Sequence, residues 1–282
     1  MENNPIEIIK SSGEKAKFSF EKLRASLHKT KADKATIDNI INVVRDELYQ
    51  GISTKEVYHR AFALLKKKQS HYASRYKLKK AIYELGPTGF PFERFVSALL
   101  ENSGYRTEVN KILQGHCVSH EIDVIAEKDN ETTVVECKFH SEKEFKCNVK
   151  IPLYIHSRFQ DIKTHWTKNS KNNKLRKGWL VTNTRFTEDA LKYGQCCGLY
   201  LMSWDYPKNE GLKDLIDTLG LYPITVSTIL SNREKQFLLG RNIVLCRDLL
   251  DDKFYLDHLG ISELRKNKIL NEIEHLCTLD NV

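Results

Sequence analysis

The residues best able to do chemistry together are Asp123 and, thirteen positions later, Glu136-Cys137-Lys138. Glu136 and Lys138 stand at i and i+2 on a β-rich run. Their side chains therefore leave one face of a strand and Cys137 leaves the other. A turn at Lys128-Asp129-Asn130 can fold the second strand back beside Asp123. Two carboxylates then meet one ammonium at a sheet edge. Hard oxygen ligands of this kind hold Mg²⁺. Such an ion neutralises a scissile phosphate and lowers the pKa of a bound water. A neighbouring ammonium orients that water or stabilises the transition state. The chemistry in view is metal-assisted phosphodiester hydrolysis. Glu121 shares the strand face of Asp123 by the same period and adds a third carboxylate. Cys137 reads as a core thiol rather than a nucleophile.

Periodicity and punctuation give the elements that must position these groups. Phe92, Phe95, Val96, Leu99 and Leu100 repeat at helical spacing. They predict a helix over 91–103 that carries Glu93 and ends at Gly104. Strands are predicted at 105–109, 122–126, 132–139, 177–182 and 199–203, and helices at 154–166 and 187–194. Strands alternating with helices predict an α/β sandwich around a mixed sheet over residues 88–206. Ahead of it, residues 1–86 read as a small hairpin (6–10 and 15–19, turning at Ser11-Ser12-Gly13-Glu14) and a helical bundle. One helix of that bundle is capped by Ser19, and the last runs over 70–85. Residues 207–282 read as helices at 212–219, 224–230, 253–259 and 262–276. Gly220 and Gly260 each separate two of these, a shape that resembles a helix-hairpin-helix; a dimerisation module is the alternative. The chain is thus expected to be an α+β multidomain protein.

Beyond the D…ExK set, several stretches occur in order. They are Gly89-Phe90-Pro91-Phe92-Glu93, Leu99-Leu100-Glu101-Asn102-Ser103-Gly104-Tyr105, Glu121-Ile122-Asp123-Val124-Ile125 and Val134-Val135-Glu136-Cys137-Lys138. Trp179-Leu180-Val181-Thr182-Asn183 and Arg185-Phe186-Thr187-Glu188-Asp189-Ala190 follow. Over roughly 88–206 this resembles the PD-(D/E)xK nucleases, specifically the Mrr-like restriction endonucleases. The resemblance implies a Mg²⁺- or Mn²⁺-dependent DNA endonuclease. Its metal ligands would be Asp123, Glu136 and the Cys137 main-chain carbonyl, its catalytic lysine Lys138, and its ancillary glutamate Glu93. Where members carry Gly two residues before the Asp, this chain has Glu121.

Residues 5–86 carry a second pattern: Ile8-Ile9-Lys10-Ser11-Ser12-Gly13, Phe18-Ser19-Phe20-Glu21-Lys22-Leu23, Gly51-Ile52-Ser53-Thr54 and Ala73-Ser74-Arg75-Tyr76. It resembles the ATP-cone, a regulatory nucleotide-binding domain. A Lys ending a short strand and another in the first helical turn suit an anion at a helix N-terminus. The resemblance implies ATP or dATP as a regulatory ligand, with Lys10 and Lys22 on the triphosphate. Thr54, Arg75 and Lys77 are further candidate contacts. No G-x-x-x-x-G-K-[ST] loop is present, so sensing rather than hydrolysis is expected.

The 282 residues carry 45 Lys+Arg against 37 Asp+Glu, a net charge of +8 that invites a polyanionic partner. Residues 1–90 hold 18 basic and 10 acidic side chains, so the excess sits ahead of the nuclease-like region. That region's grip on DNA must then be local. Between Asp161 and Glu188 no acidic residue occurs, whereas Lys163, Lys168, Lys171, Lys174, Arg176, Lys177 and Arg185 do. Seven scattered cysteines without a C-x-x-C pair, no apolar run of membrane-spanning length and no secretory leader predict a cytoplasmic protein with reduced thiols and no structural zinc. A homodimer or nucleotide-dependent oligomer is expected, since cutting both strands takes two nuclease centres. The competing functions are a nucleotide-sensing DNA-binding protein that does not cut, and a nuclease acting on RNA or structured strands.

Overall fold

The computed structural model describes residues 6–142, 144–169 and 174–279. At the N-terminus, β1 (Glu7–Ile9) and β2 (Lys15–Lys17) form the expected hairpin around Gly13, whose φ of 82° a side chain would resist. Ser19 caps α1 (Phe20–His28), accepting from Lys22 N–H at 3.2 Å. Then come α2 (Lys34–Glu47), β3 (Ile52–Ser53), α3 (Thr54–Lys68) and α4 (Ser70–Tyr76). The two-residue β3 escaped the sequence reading. It pairs parallel to β1, with Ile9 opposite Ser53. Leu27, Ile37, Ile40, Val44, Ile52 and Leu65 form a core belonging to this unit alone.

One helix was expected over 70–85, but two are found, α4 and α5 (Leu78–Tyr83), broken at Lys77. The break serves two cores. Ala73 packs into the N-terminal unit, whereas Leu78, Ala81, Ile82 and Leu85 pack into the next core.

The central sheet is mixed and five-stranded. Its elements are α6 (Phe90–Glu101), β4 (Arg106–Gln114), β5 (Ser119–Lys128), β6 (Glu131–Lys138), the short β7 (Lys146–Cys147), α7 (Lys150–Asn169), β8 (Lys174–Thr182), β9 (Arg185–Phe186), α8 (Glu188–Cys196) and β10 (Tyr200–Met202). Strand order is β10-β8-β6-β5-β4, with β7 and β9 paired as a separate two-stranded ladder. The segment β4 to β6 is an antiparallel meander, while β6, β8 and β10 run parallel. Val124, Val135, Cys137 and Val181 pack one face against Phe92, Phe95 and Leu99 of α6. Ile122, Ile125 and Val134 pack the other against Phe159 and Ile162 of α7. Leu180 and Leu201 meet Ile155 of α7 and Ala190 of α8 on that second face.

The C-terminal segment is helical: α9 (Leu212–Leu219), a 3-10 turn (Ile224–Val226), α10 (Asn232–Leu239), α11 (Asp248–Asp251), α12 (Phe254–His258) and α13 (Glu263–Cys277). The helix expected at 224–230 shrinks to that single turn. Ile224 N–H donates to Val244 and Cys246 N–H to Tyr222, which ties the segment in an extended pairing. The helix instead starts after Ser231, whose capping box with Glu234 the sequence reading overlooked. Leu212, Ile216, Tyr222, Ile269 and Ile273 share one core with α6 and the sheet. The module is therefore packed on α6 and the central sheet by its own apolar face. Among the described residues no helix is long and apolar enough to cross a membrane.

Candidate active site

The ladder between β5 and β6 runs from Lys128 opposite Glu131 to Val124 opposite Val135, and stops there. One step further, the Asp123 carboxylate accepts the Cys137 main-chain N–H at 2.7 Å, in place of a backbone acceptor. The two strands part at Asp123. Alternation slips at the same point, since Ile122 and Ile125, three residues apart, both lie under α7. On the other side of β5, Asn110 stands opposite Asp123 with φ of 52° and takes no place in the ladder. The irregularity opens the sheet where the carboxylates gather.

Glu136 and Lys138 share a face as expected, with Nζ 3.8 Å from Oε1. Cys137 is buried on the opposite side among apolar residues, which pushes its thiol well above its ordinary pKa. That environment suits packing, not nucleophilic attack. Glu93, in the first turn of α6, reaches the same place. Burial first, and then the charges of Asp123, Glu121 and Glu136, raise its pKa to about 7. Glu136 rises to about 7 through burial and the Asp123 charge, against the pull of Arg158 and Lys138. Asp123 is raised too, chiefly by burial. The structure thus brings Glu93, Glu121, Asp123, Glu136 and Lys138 together.

Sequence reading missed Arg158. Its guanidinium donates to Glu136 Oε2 at 2.7 Å and also to the Glu121 carbonyl. It tethers β5 and β6 to α7 beside the gap between them. The signal was present: Arg158 stands three residues after Ile155 and four before Ile162, a cation on the buried stripe of its helix. One turn on, Asp161 takes the N–H groups of Cys117 and Val118 and the ring of His120 at 2.7 Å. Those bonds, His120 foremost, hold its carboxyl well below the usual range. Asp161 thereby anchors the β4–β5 turn. The stretch after Lys138 is braced from β8. Thr182 donates to the Lys138 carbonyl at 2.7 Å, and Asn183 both accepts from His140 N–H and donates to its carbonyl. This gives the Val181-Thr182-Asn183 stretch a physical role.

A divalent cation fits this donor set. Carboxylates raised by burial and then by one another's charge are short of positive charge, and hard oxygens are what Mg²⁺ and Mn²⁺ prefer. Asp123 and Glu136 would hold the ion. Among the described residues no group of three or more His, Cys, Asp or Glu is arranged to hold a metal alone. The Cys137 carbonyl is the further donor that the D…ExK pattern implies.

The charges give a pH signature. The pKa values of Glu93 and Glu136 lie above the ordinary 4.5, so in chelator their contribution to stability is fully present below about pH 4.5 and is lost as pH rises through about 7. A cation reverses the trend because it binds the ionised form. The thermal shift given by Mn²⁺ should therefore grow between about pH 5.5 and pH 8, with its midpoint near 7. A shift independent of pH places the ion elsewhere.

The five expected nucleotide contacts divide. Lys10 follows β1, whose last residue, Ile9, lies opposite Ser53, the residue before Thr54 at the start of α3; the Lys10 ammonium meets Glu14 at 3.1 Å. Lys22 is exposed in the first turn of α1. Arg75 and Lys77 are turned the other way. Arg75 donates to the carbonyls of His275 and Leu276 and to the Tyr222 hydroxyl, and Lys77 is buried against Glu84. The basic window also disperses. Arg176 pairs with Glu131 and Arg185 with Asp205, while Lys171 lies outside the described residues. All seven cysteines are free thiols.

This fold and this set of groups define a restriction-endonuclease-like domain, and residues 87–204 match the family model described as restriction endonuclease. Residues 222–277 match a second, described as AF1548-like, C-terminal. The chain is 36% identical over 178 residues to an uncharacterized protein of Archaeoglobus fulgidus, a span of 63% of this chain and 97% of that one. It also superposes on the crystal structure of AF1548, a protein of unknown function, with TM-score 0.55 and 34% identity, covering 67% of this chain and 98% of that one. The chain belongs to the family of that archaeal protein. Neither family match reaches the N-terminal unit.

Proposed function

We propose that the chain is a metal-dependent endonuclease that hydrolyses phosphodiester bonds in DNA. The observation that carries this reading is the meeting of Asp123, Glu136, Lys138 and Glu93 where β5 and β6 part. When bound, the cation would neutralise the phosphate and lower the pKa of a water. The chain's own residues supply the rest. Asp123 and Glu136 would hold the ion. Lys138 places an ammonium where negative charge develops on the phosphate or orients the attacking water. Glu93, its pKa raised to about 7 chiefly by burial, can take a proton from that water. Arg158 and Asn183 fix the strands that carry these groups. Supercoiled plasmid, relaxed or linearised with Mg²⁺ or Mn²⁺ and intact with chelator, tests the proposal. Binding without nicking under any metal turns the reading to the DNA-binding alternative. Cleavage confined to RNA turns it to the other.

Nucleotide control through the N-terminal unit is a finer reading, motivated by the β1–β3 pairing, in which Ile9 and Ser53, the residues just before Lys10 and Thr54, lie opposite each other. Calorimetry with ATP and dATP should show binding to wild type and none to Lys10→Ala/Lys22→Ala. Equal affinity in both proteins sets the reading aside.

A further inference from the structure

At the junction of the N-terminal unit and the C-terminal module lies a cleft of about 290 Å³, lined by Glu84, Gly86, Thr225, Asn232, Lys235 and Gln236. It lies apart from the carboxylate cluster, and none of those groups lines it. Asn232, Lys235 and Gln236 occupy i, i+3 and i+4 of α10, so their amide and ammonium donors share one helix face. The Ser231–Glu234 capping box satisfies the N–H groups of those two residues. The N–H groups of Asn232 and Arg233 belong to the first turn and have no acceptor within the helix.

Lys235 is the feature that no structural role absorbs. Only 5% of it is exposed, and among the described residues it has no carboxylate within ion-pair distance. Its neighbour is another buried ammonium, Lys77, at 9% exposure. The nearby carboxylate, Glu84, is already taken by Lys77 at 3.1 Å and Lys80 at 3.7 Å. A buried cation beside a cation is costly unless an anion joins it. Burial, with Lys77 beside it, lowers the Lys235 pKa to about 8. Glu272, the other charge acting to raise it, spends its oxygens on Ser74, Ser227 and Thr228.

We propose that this cleft binds a small phosphate-bearing anion, with Lys235 as counter-charge and Asn232, Gln236 and the first turn of α10 as hydrogen-bond donors. A phosphate offers several acceptors to a fan of donors and suits a helix N-terminus. A cleft of about 290 Å³ has room for a small molecule. The cleft also adjoins the nuclease-like layer. A Cβ on Gly86 would come within 2.7 Å of the Phe139 ring, and Phe139 directly follows Lys138.

The test is thermal unfolding and calorimetry of the full chain with inorganic phosphate, pyrophosphate and ribose 5-phosphate, beside citrate. Binding of the phosphates and a rise of several degrees in wild type are expected, with little from citrate; the free ions and the sugar phosphate separate the two sources. Lys235→Met should unfold at the same or a higher temperature without ligand and show no phosphate shift. Asn232→Asp places an acid where helices favour one, so it should fold normally and bind phosphate roughly tenfold more weakly. The proposal is overturned by no binding to wild type, by equal response to citrate, or by a phosphate shift that persists in both variants. A Lys235→Met chain that unfolds earlier while Asn232→Asp binds like wild type also overturns it, since Lys235 is then structural.

Discussion

Asp123→Ala and Lys138→Ala each lower plasmid cleavage by on the order of 10²–10³-fold or more, with the fold and DNA binding retained. The two variants fail for different reasons. On the proposed reading Asp123 would hold the ion, and its carboxylate also accepts Cys137 N–H, so Ala would remove a metal donor and leave one backbone donor without its partner. Excess Mn²⁺ restores part of the rate if the lost function is ion binding. Lys138 touches Glu136 at 3.8 Å and on the proposed reading would supply charge to the reacting phosphate, so added metal should not rescue it. Glu93→Gln keeps the shape of the side chain and removes the proton acceptor. It costs less, roughly 10²-fold, and flattens the rise of rate through about pH 7. Gel quantification of nicked plasmid over time reads all three. Undiminished cutting by Lys138→Ala would falsify the assignment of the centre.

The legibility of this centre from sequence has a physical basis. Period-two geometry alone puts Glu136 and Lys138 on one face, and a tight turn brings Asp123 back beside them. Glu93 could be placed because Phe92, Phe95, Val96 and Leu99 fix which face of α6 is buried. The cap at Ser19 is equally local. What stayed hidden depends on partners far along the chain. Arg158 finds Glu136 across 22 residues, and Asn183 finds His140 across 43. Arg75 and Lys77 looked like nucleotide contacts because nothing local says that Arg75 will meet α13, some 200 residues away. The break at Lys77 is of the same kind, since only the presence of two cores requires it. Short elements failed for another reason. Two residues of β3 have no period to detect, and their pairing with β1 comes from the tertiary fold.

Glu272→Ala should be the most destabilising single change on the C-terminal side. The residue lies on α13 with no exposed surface. Its oxygens accept from Ser74 Oγ at 2.8 Å, Ser227 Oγ at 2.6 Å, Thr228 Oγ1 at 2.6 Å and Thr228 N–H at 3.1 Å. Those donors come from α4 and from the turn that follows the 3-10 helix, so one carboxylate joins three segments. Removing it strands two buried donors, on Ser74 and Ser227, and two half-buried ones, on Thr228, and opens a cavity. The expected loss is about 3–5 kcal/mol, read as a fall in Tm on the order of 10 °C. Ser74→Ala, which deletes one donor and leaves the others in place, should cost only about 1–2 kcal/mol. The comparison separates a shared network from a sum of independent bonds. A double variant that loses no more than Glu272→Ala alone shows that Ser74 acts through the carboxylate. The same contact, with Arg75 on the His275 and Leu276 carbonyls, clamps α4 to α13. Limited proteolysis of Glu272→Ala should therefore release the N-terminal unit first, because that unit keeps its own core while the clamp is gone. Uniform resistance to protease, with Tm lowered by less than about 1 kcal/mol equivalent, means that the donors find other partners and the carboxylate is not the joint.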